Sequence, residues 1–213
     1  MATTHEKLFK MFEAARRLNE ALWLSAIDST YMSVEELAEC ITKEFGVEIS
    51  FYYVDVENEH VYAHIERYDN GKTCRIYVVK NIPERFKHPV IAKELCQIVL
   101  DDESDWQPDG KDTLQRFAMG APMEWDAAEN AGYRSDILAE RLSWELLYPL
   151  EMRRKDIETK IPHDIIAQRV RLPVQIVDPL LTPAYMSWCE SWWKLTIEAY
   201  QALKGSAENT AAE

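Results

Sequence analysis

The residues best suited to chemistry lie in one apolar helical segment, residues 90–100, whose polar exceptions are Lys93, Glu94 and Gln97. Residues three and four apart share a helical face, so these side chains form one polar strip that needs partners when the helix is buried. The spacing is that of a His-Glu-x-x-His helix, in which two histidines bind zinc and the glutamate activates water. Here lysine and glutamine occupy the histidine positions, and only the glutamate remains.

The surrounding sequence resembles the ImmA/IrrE family of metallopeptidases. The family's helix reads Ala-His-Glu-Leu-Gly-His where this chain has Ala-Lys-Glu-Leu-Cys-Gln at residues 92–97. Residues 139–149 are similar to the family's Ala-Asn-x-Phe-Ala-x-x-Leu-Leu-Met-Pro stretch, and residues 164–173 to its closing helical module. The resemblance spans residues 33 to 181. It implies a zincin-like core, with the carboxylate ligand near Asp136 and with Glu140 one turn further on the same face.

The substituted positions predict that the zinc chemistry is lost. Zinc is bound by imidazole, thiolate or carboxylate, whereas lysine would have to lose its proton and an amide oxygen is a poor ligand. We therefore expect no cofactor and a vestigial Glu94. We hypothesise that the Lys93 ammonium replaces the metal's charge beside Asp136 or Glu140, with Gln97 filling the remaining polar positions. The alternative is that Lys93 extends to solvent at the helix edge.

The flanking elements predict an α+β fold, in which a small three-stranded antiparallel sheet is packed by helices and followed by a helical C-terminal part. Residues 4 to about 27 have helical spacing, and Ser33 to Glu36 forms a capping box for a second helix that Gly46 would end. Asn70-Gly71 is typical of a hairpin turn. Strands are expected at residues 47–54, 61–65 and 74–79, and further helices at about 89–100, 113–119 and 135–156, after His163, and from Pro183.

These elements divide the chain into four parts. We predict an N-terminal helix over residues 1–32, a degenerate peptidase-like domain over 33–156, a helical module over 157–204 and a disordered tail over 205–213. In the final helix, an aromatic stripe either packs on the core or forms a partner or homo-oligomer surface. Its members are Tyr185, Trp188, Trp192 and Trp193.

Composition limits the kinds of partner. The 37 acidic and 24 basic residues give a net charge of −13, which argues against direct binding to nucleic acid and suits docking on a basic protein. There is no run of 18 apolar residues and no signal-peptide pattern, so we expect no membrane association. The cysteines are scattered without a Cys-x-x-Cys pair, which predicts free thiols and a cytoplasmic location.

The resemblance implies a link to helix-turn-helix repressors of phages and mobile elements. We therefore expect a catalytically inactive peptidase-like protein that binds another protein, such as a basic DNA-binding regulator. One alternative is a metal-dependent endopeptidase that uses Asp136, Glu140 and one histidine to hold zinc. Another is an oligomer-forming subunit built around the two terminal helices.

Overall fold

The computed structural model describes residues 4–25, 32–55, 62–101 and 131–210, with side chains over residues 6–22, 32–55, 62–101 and 136–202. The fold is mixed α+β and mostly helical. The expected helix at 113–119 and most of the acidic run after Asp101 lie outside these residues. The described elements are α1 Thr4–Ser25, α2 Val34–Phe45, β1 Glu48–Val54, β2 Ala63–Tyr68, β3 Thr73–Val79, α3 Glu84–Leu100, α4 Ala131–Leu147, α5 Leu150–Thr159, α6 His163–Val170, α7 Val174–Leu180 and α8 Pro183–Thr210.

Both ends of α2 follow the sequence signals. The Ser33 hydroxyl accepts from the Glu36 N–H at 3.1 Å, and the Glu36 carboxylate accepts from the Ser33 N–H at 2.8 Å. This capping box is the predicted one. Gly46 adopts the left-handed conformation at φ 68°, and its N–H donates to the Thr42 carbonyl. The chain therefore leaves α2 sharply and enters β1.

The sheet has the order β1-β3-β2, and the predicted all-antiparallel arrangement is wrong for β1. β2 and β3 form the expected antiparallel hairpin, whereas β1 pairs with β3 in parallel. In β3 the inward row of Cys74, Ile76 and Val78 is fully buried, so this strand takes the central place. The β2 hairpin then lies in the crossover that a parallel pair requires.

Prolines shift two helix boundaries from those predicted. We expected a helix to begin at Pro89, but α3 begins at Glu84 and Pro89 lies buried within it, where its missing N–H removes one helical hydrogen bond. The helix expected over residues 135–156 is instead two, α4 and α5. Pro149, at φ −58° and ψ 153°, has an extended backbone conformation that breaks them apart. The separate helix α7 was not predicted.

One cluster of buried residues joins the parts that the sequence divides. It runs from Met11 and Phe12 of α1 through the sheet and α3 to α4, α6 and α7. Helix α3 packs against β2 and β3 on one side and against α4 on the other. α8 continues past Gly205 to Thr210. Among the described helices, none combines the length and the apolar character needed to span a membrane.

Candidate functional site

The polar strip of α3 faces the N-terminal half of α4. The Lys93 ammonium lies 2.8 Å from the Asp136 carboxylate, and the Gln97 amide donates to the same carboxylate oxygen. The hypothesised contact between Lys93 and Asp136 is therefore present. Apolar neighbours on α3, such as Ala92 and Cys96, are fully buried and hold the strip in this orientation.

Glu94 is the buried member of this cluster. Its side chain is 7% exposed, and its carboxylate lies 3.6 Å from the Lys93 ammonium. Burial, with a smaller effect from the nearby Asp136, raises the pKa of Glu94; Lys93 and Arg67 oppose the rise, and the resulting pKa is about 7. The site therefore holds a carboxyl group that exchanges its proton near neutral pH.

Lys93 remains a cation in this setting. Burial lowers its pKa, but Glu94, Asp136 and Glu140 together outweigh that effect, so the net pKa is raised. Lys93 contacts Glu94 and Asp136 directly, whereas Glu140 acts over a longer distance. Partial burial raises the pKa of Glu140, which lies at the exposed side of the cluster. A single ammonium thus stands among three carboxyl groups.

Arg67 of β2 closes the C-terminal end of α3 and was not identified from the sequence. Its guanidinium donates to the Asp101 carboxylate at 2.5 Å and to the Gln97 carbonyl at 3.3 Å. This joins the sheet to the helix one turn beyond Lys93. No sequence signal identified it, because the predicted strand ends at residue 65, whereas β2 continues to Tyr68 and places Arg67 on the same face as the buried Ile65.

The residues of this cluster do not fit a zinc ion. Lys93 and Gln97 stand at the two positions one turn apart, and neither is a zinc ligand under ordinary conditions. Within the described side chains, no three His, Cys, Asp or Glu residues converge in a way that could hold a metal. His88 lies near the start of α3, and its pKa is lowered to about 4 because it is partly buried and the positive charge of Arg171 opposes its protonation.

The aromatic stripe of α8 packs against α1. The ring of Phe12 lies 5.7 Å from Trp188, 6.2 Å from Trp192 and 5.4 Å from Trp193, measured between centroids. Tyr185 stacks at an angle on Trp188 at 5.5 Å. All four stripe residues are half-buried. These contacts match the packing alternative, in which the stripe is used within the chain.

A second polar cluster lies deep between α4, α5 and α8, and sequence reasoning missed it. Glu145 and Arg153 are both 0% exposed and form an ion pair with oxygen–nitrogen distances of 2.5 and 2.6 Å. Cys189 and the Trp193 indole each donate to the Glu145 carboxylate at 3.2 Å. The extra donors satisfy a buried carboxylate, so this cluster fixes α8 on α4.

Neither a protein-family model nor a curated protein matches this chain. Among solved structures, a Mycobacterium tuberculosis transcriptional regulator is similar, with a TM-score of 0.43 and 16% sequence identity. The match covers 83% of this chain and 50% of that chain, so this chain spans about half the length of that neighbour. This similarity assigns no function.

Proposed function

We propose that this chain is a catalytically inactive relative of the ImmA/IrrE peptidases that acts by binding another protein. The proposal rests on the two side chains that contact the Asp136 carboxylate. This carboxylate would be the metal ligand by resemblance, and it instead takes both the Lys93 ammonium and the Gln97 amide. An ammonium at this place supplies the positive charge that a zinc ion would supply beside the same carboxylates.

The same geometry opposes peptide hydrolysis. A zinc peptidase needs a polarised water, a metal that stabilises the oxyanion and a carboxylate base. Glu94 has a suitable pKa for a base near neutral pH, but its side chain is 7% exposed and lies 3.6 Å from the Lys93 ammonium. Because Lys93 and Gln97 are not zinc ligands, Glu94 would act without the metal ion that lowers the pKa of a bound water.

The partner that we propose is a basic protein. The chain has a net charge of −13, which favours association with a positively charged surface and opposes association with nucleic acid. The resembled family implies a helix-turn-helix regulator of a phage or mobile element. Sequestration of such a regulator needs only a recognition surface and no turnover.

The test is to restore the zinc ligands. In the double variant Lys93→His/Gln97→His, two imidazoles one turn apart on α3 would face Asp136, which gives the three protein ligands of a catalytic zinc site. Zinc at about 100 times its Kd should stabilise this variant by roughly 2.7 kcal/mol, or roughly 5–10 °C in Tm. Differential scanning fluorimetry with zinc and with chelator measures the shift, and elemental analysis gives the stoichiometry.

Two controls decide the result. The wild type should show no zinc-dependent shift, and adding Asp136→Asn to the double variant should abolish the shift. A double variant without zinc binding would contradict the inferred convergence of the three positions. Stoichiometric zinc in the wild type, lost on replacing Asp136 or Glu140, would instead establish the alternative of an endopeptidase with atypical ligands.

A further inference from the structure

Within the described residues, strand β1 is paired along only one of its two backbone edges. The Glu48 N–H donates to the Lys72 carbonyl and the Lys80 N–H donates to the Val54 carbonyl. In a parallel ladder, alternate residues point their backbone groups to the same side, so the even-numbered residues of β1 bond to β3. The N–H and C=O groups of Ile49, Phe51 and Tyr53 therefore point away from the sheet. In the part of the chain that the structure describes, β3 is the single strand paired with β1.

The apolar row on this strand is also incompletely covered. Ile49 and Phe51 pack on the core but remain half-buried, and Tyr53 is 53% exposed. The equivalent row of the central strand β3 is fully buried. One more strand beside β1, with apolar residues at alternate positions, would give this row the cover that β3 already has.

The usual protection of an exposed edge is absent from β1 itself. Natural edge strands are short, or carry lysine, proline or a bulge that prevents pairing. β1 has seven residues, the sequence Glu-Ile-Ser-Phe-Tyr-Tyr-Val and an uninterrupted register with β3. It therefore has the geometry that accepts an additional strand.

The acidic charge of the chain selects the occupant of this edge. α2, which leads into β1, exposes Glu35, Glu36 and Glu39, and Glu48 begins the strand itself. Lys43 is the single basic residue of α2. A second copy of the chain would bring together two chains that each have a net charge of −13. A basic segment would instead meet an acidic chain and the Glu48 carboxylate at the start of the strand.

We propose that β1 is the docking site of an extended basic segment of the partner protein, which joins the sheet as a fourth strand. The segment would carry apolar residues at alternate positions, facing the row of Ile49, Phe51 and Tyr53, and lysine or arginine between them. This proposal rests on the proposed protein-binding function and names the surface that performs it. It does not depend on the state of the Lys93 cluster.

The probe is a fluorescein-labelled, end-blocked peptide, Lys-Val-Lys-Val-Lys-Val-Lys, with Lys-Lys-Val-Val-Val-Lys-Lys as a control of equal composition and charge. Fluorescence anisotropy with the full chain should show binding of the alternating peptide at least about tenfold tighter than the control. Tyr53→Pro removes an outward N–H without touching the ladder to β3 and should weaken binding about tenfold relative to Tyr53→Ala, which removes only the ring.

Charge and backbone protection provide two further readouts. Glu48→Lys should weaken binding several-fold, because Glu48 is exposed on β1 itself, whereas Glu158→Lys, the same charge change on α5, should leave it unchanged. In hydrogen-exchange NMR, saturating alternating peptide should slow exchange at the amides of Ile49, Phe51 and Tyr53 by about tenfold or more. Ser50 and Tyr52, already bonded to β3, should change less.

Three results would overturn the proposal. The first is equal binding of the two peptides, which would reduce the attraction to charge alone. The second is equal binding by Tyr53→Pro and Tyr53→Ala. The third is protection of the β1 amides that rises with protein concentration in the absence of peptide, which would make a second copy the occupant. The zinc test above is unaffected by any of these, so the two proposals fail separately.

Discussion

Replacing Lys93 by methionine tests whether the ammonium holds the site together. The substitution keeps most of the aliphatic stem and removes the charge. The lost contacts are the 2.8 Å pair with Asp136 and the 3.6 Å pair with Glu94. Asp136 keeps the Gln97 amide as a donor, whereas Glu94 would be left buried without its closest cation.

The expected loss of unfolding free energy in the Lys93→Met variant depends on the burial of the lost contacts and on pH. Breaking a fully buried pair costs about 3–5 kcal/mol and an exposed pair less than about 1 kcal/mol. Lys93 is 28% exposed and Asp136 is 32% exposed, so we expect about 1–2 kcal/mol from this pair. Glu94 adds a term that depends on pH, because Lys93 opposes the rise of its pKa.

The sign of that term is fixed by the raised pKa of Glu94. A carboxyl group whose folded pKa is raised from 4.5 to about 7 stabilises the fold at acidic pH, and this contribution is lost as the pH rises through about 7. The variant raises the pKa further, and each unit costs about 1.4 kcal/mol once the group is ionised. We therefore expect a loss of unfolding free energy of about 1–2 kcal/mol at pH 5.5, from the pair alone, and about 2–3 kcal/mol at pH 8.5.

Urea unfolding, followed by tryptophan fluorescence at pH 5.5 and at pH 8.5, measures the loss of unfolding free energy at each pH. Lys87→Met is the matched control, since Lys87 lies on the same helix and pairs with the exposed Glu84 at 2.7 Å. We expect it to change stability by less than about 0.5 kcal/mol at either pH. A Lys93→Met loss that equals the control, or that does not grow with pH, would refute the description of Lys93 as the cation of a partly buried cluster.

Two further variants test the frame around the site. Arg153→Met should cost about 3–5 kcal/mol in urea unfolding, because it leaves the Glu145 carboxylate buried without its cation, and adding Glu145→Leu should recover more than half of the loss. A loss below about 1 kcal/mol would count against that ion pair as the anchor of α8. Gly46→Ala should cost about 1 kcal/mol, because a φ of 68° strains any residue with a Cβ, and an unchanged urea midpoint would contradict the left-handed cap.

Local signals predicted the fold where neighbouring residues decide the conformation. The capping box at Ser33 and the left-handed Gly46 needed only contacts within one turn of helix. The hairpin at residues 69–72 was predicted for the same reason, although positive φ begins at Asp69 rather than at Asn70. Strand order was not predictable in this way, because the parallel pairing of β1 with β3 depends on which strand buries the most apolar row.

The candidate site shows the same difference between residues that local patterns identify and residues that only long-range contacts bring together. Helical spacing placed Lys93 and Gln97 on one face, and the family resemblance supplied Asp136 on the facing helix. Arg67 was missed because it reaches Asp101 across 34 positions of the chain, and no periodic pattern links a strand residue to a helix terminus. Glu145 and Arg153 were missed because the expected continuous helix hid the turn at Pro149 that brings them together.

Two ion pairs hold α4, and their burial separates what each contributes. The pair of Lys93 with Asp136 near the N-terminal end is partly exposed, whereas the pair of Glu145 with Arg153 near the C-terminal end is fully buried. A charge left unpaired in the interior is several times more costly than one at a water-accessible position. Of these two pairs, the inner one is therefore the more costly to break, and it lies outside the candidate site. Under the proposed function, this division would let the outer positions lose their zinc ligands while the inner pair and the apolar core of α4 keep the helix in place as part of a binding scaffold.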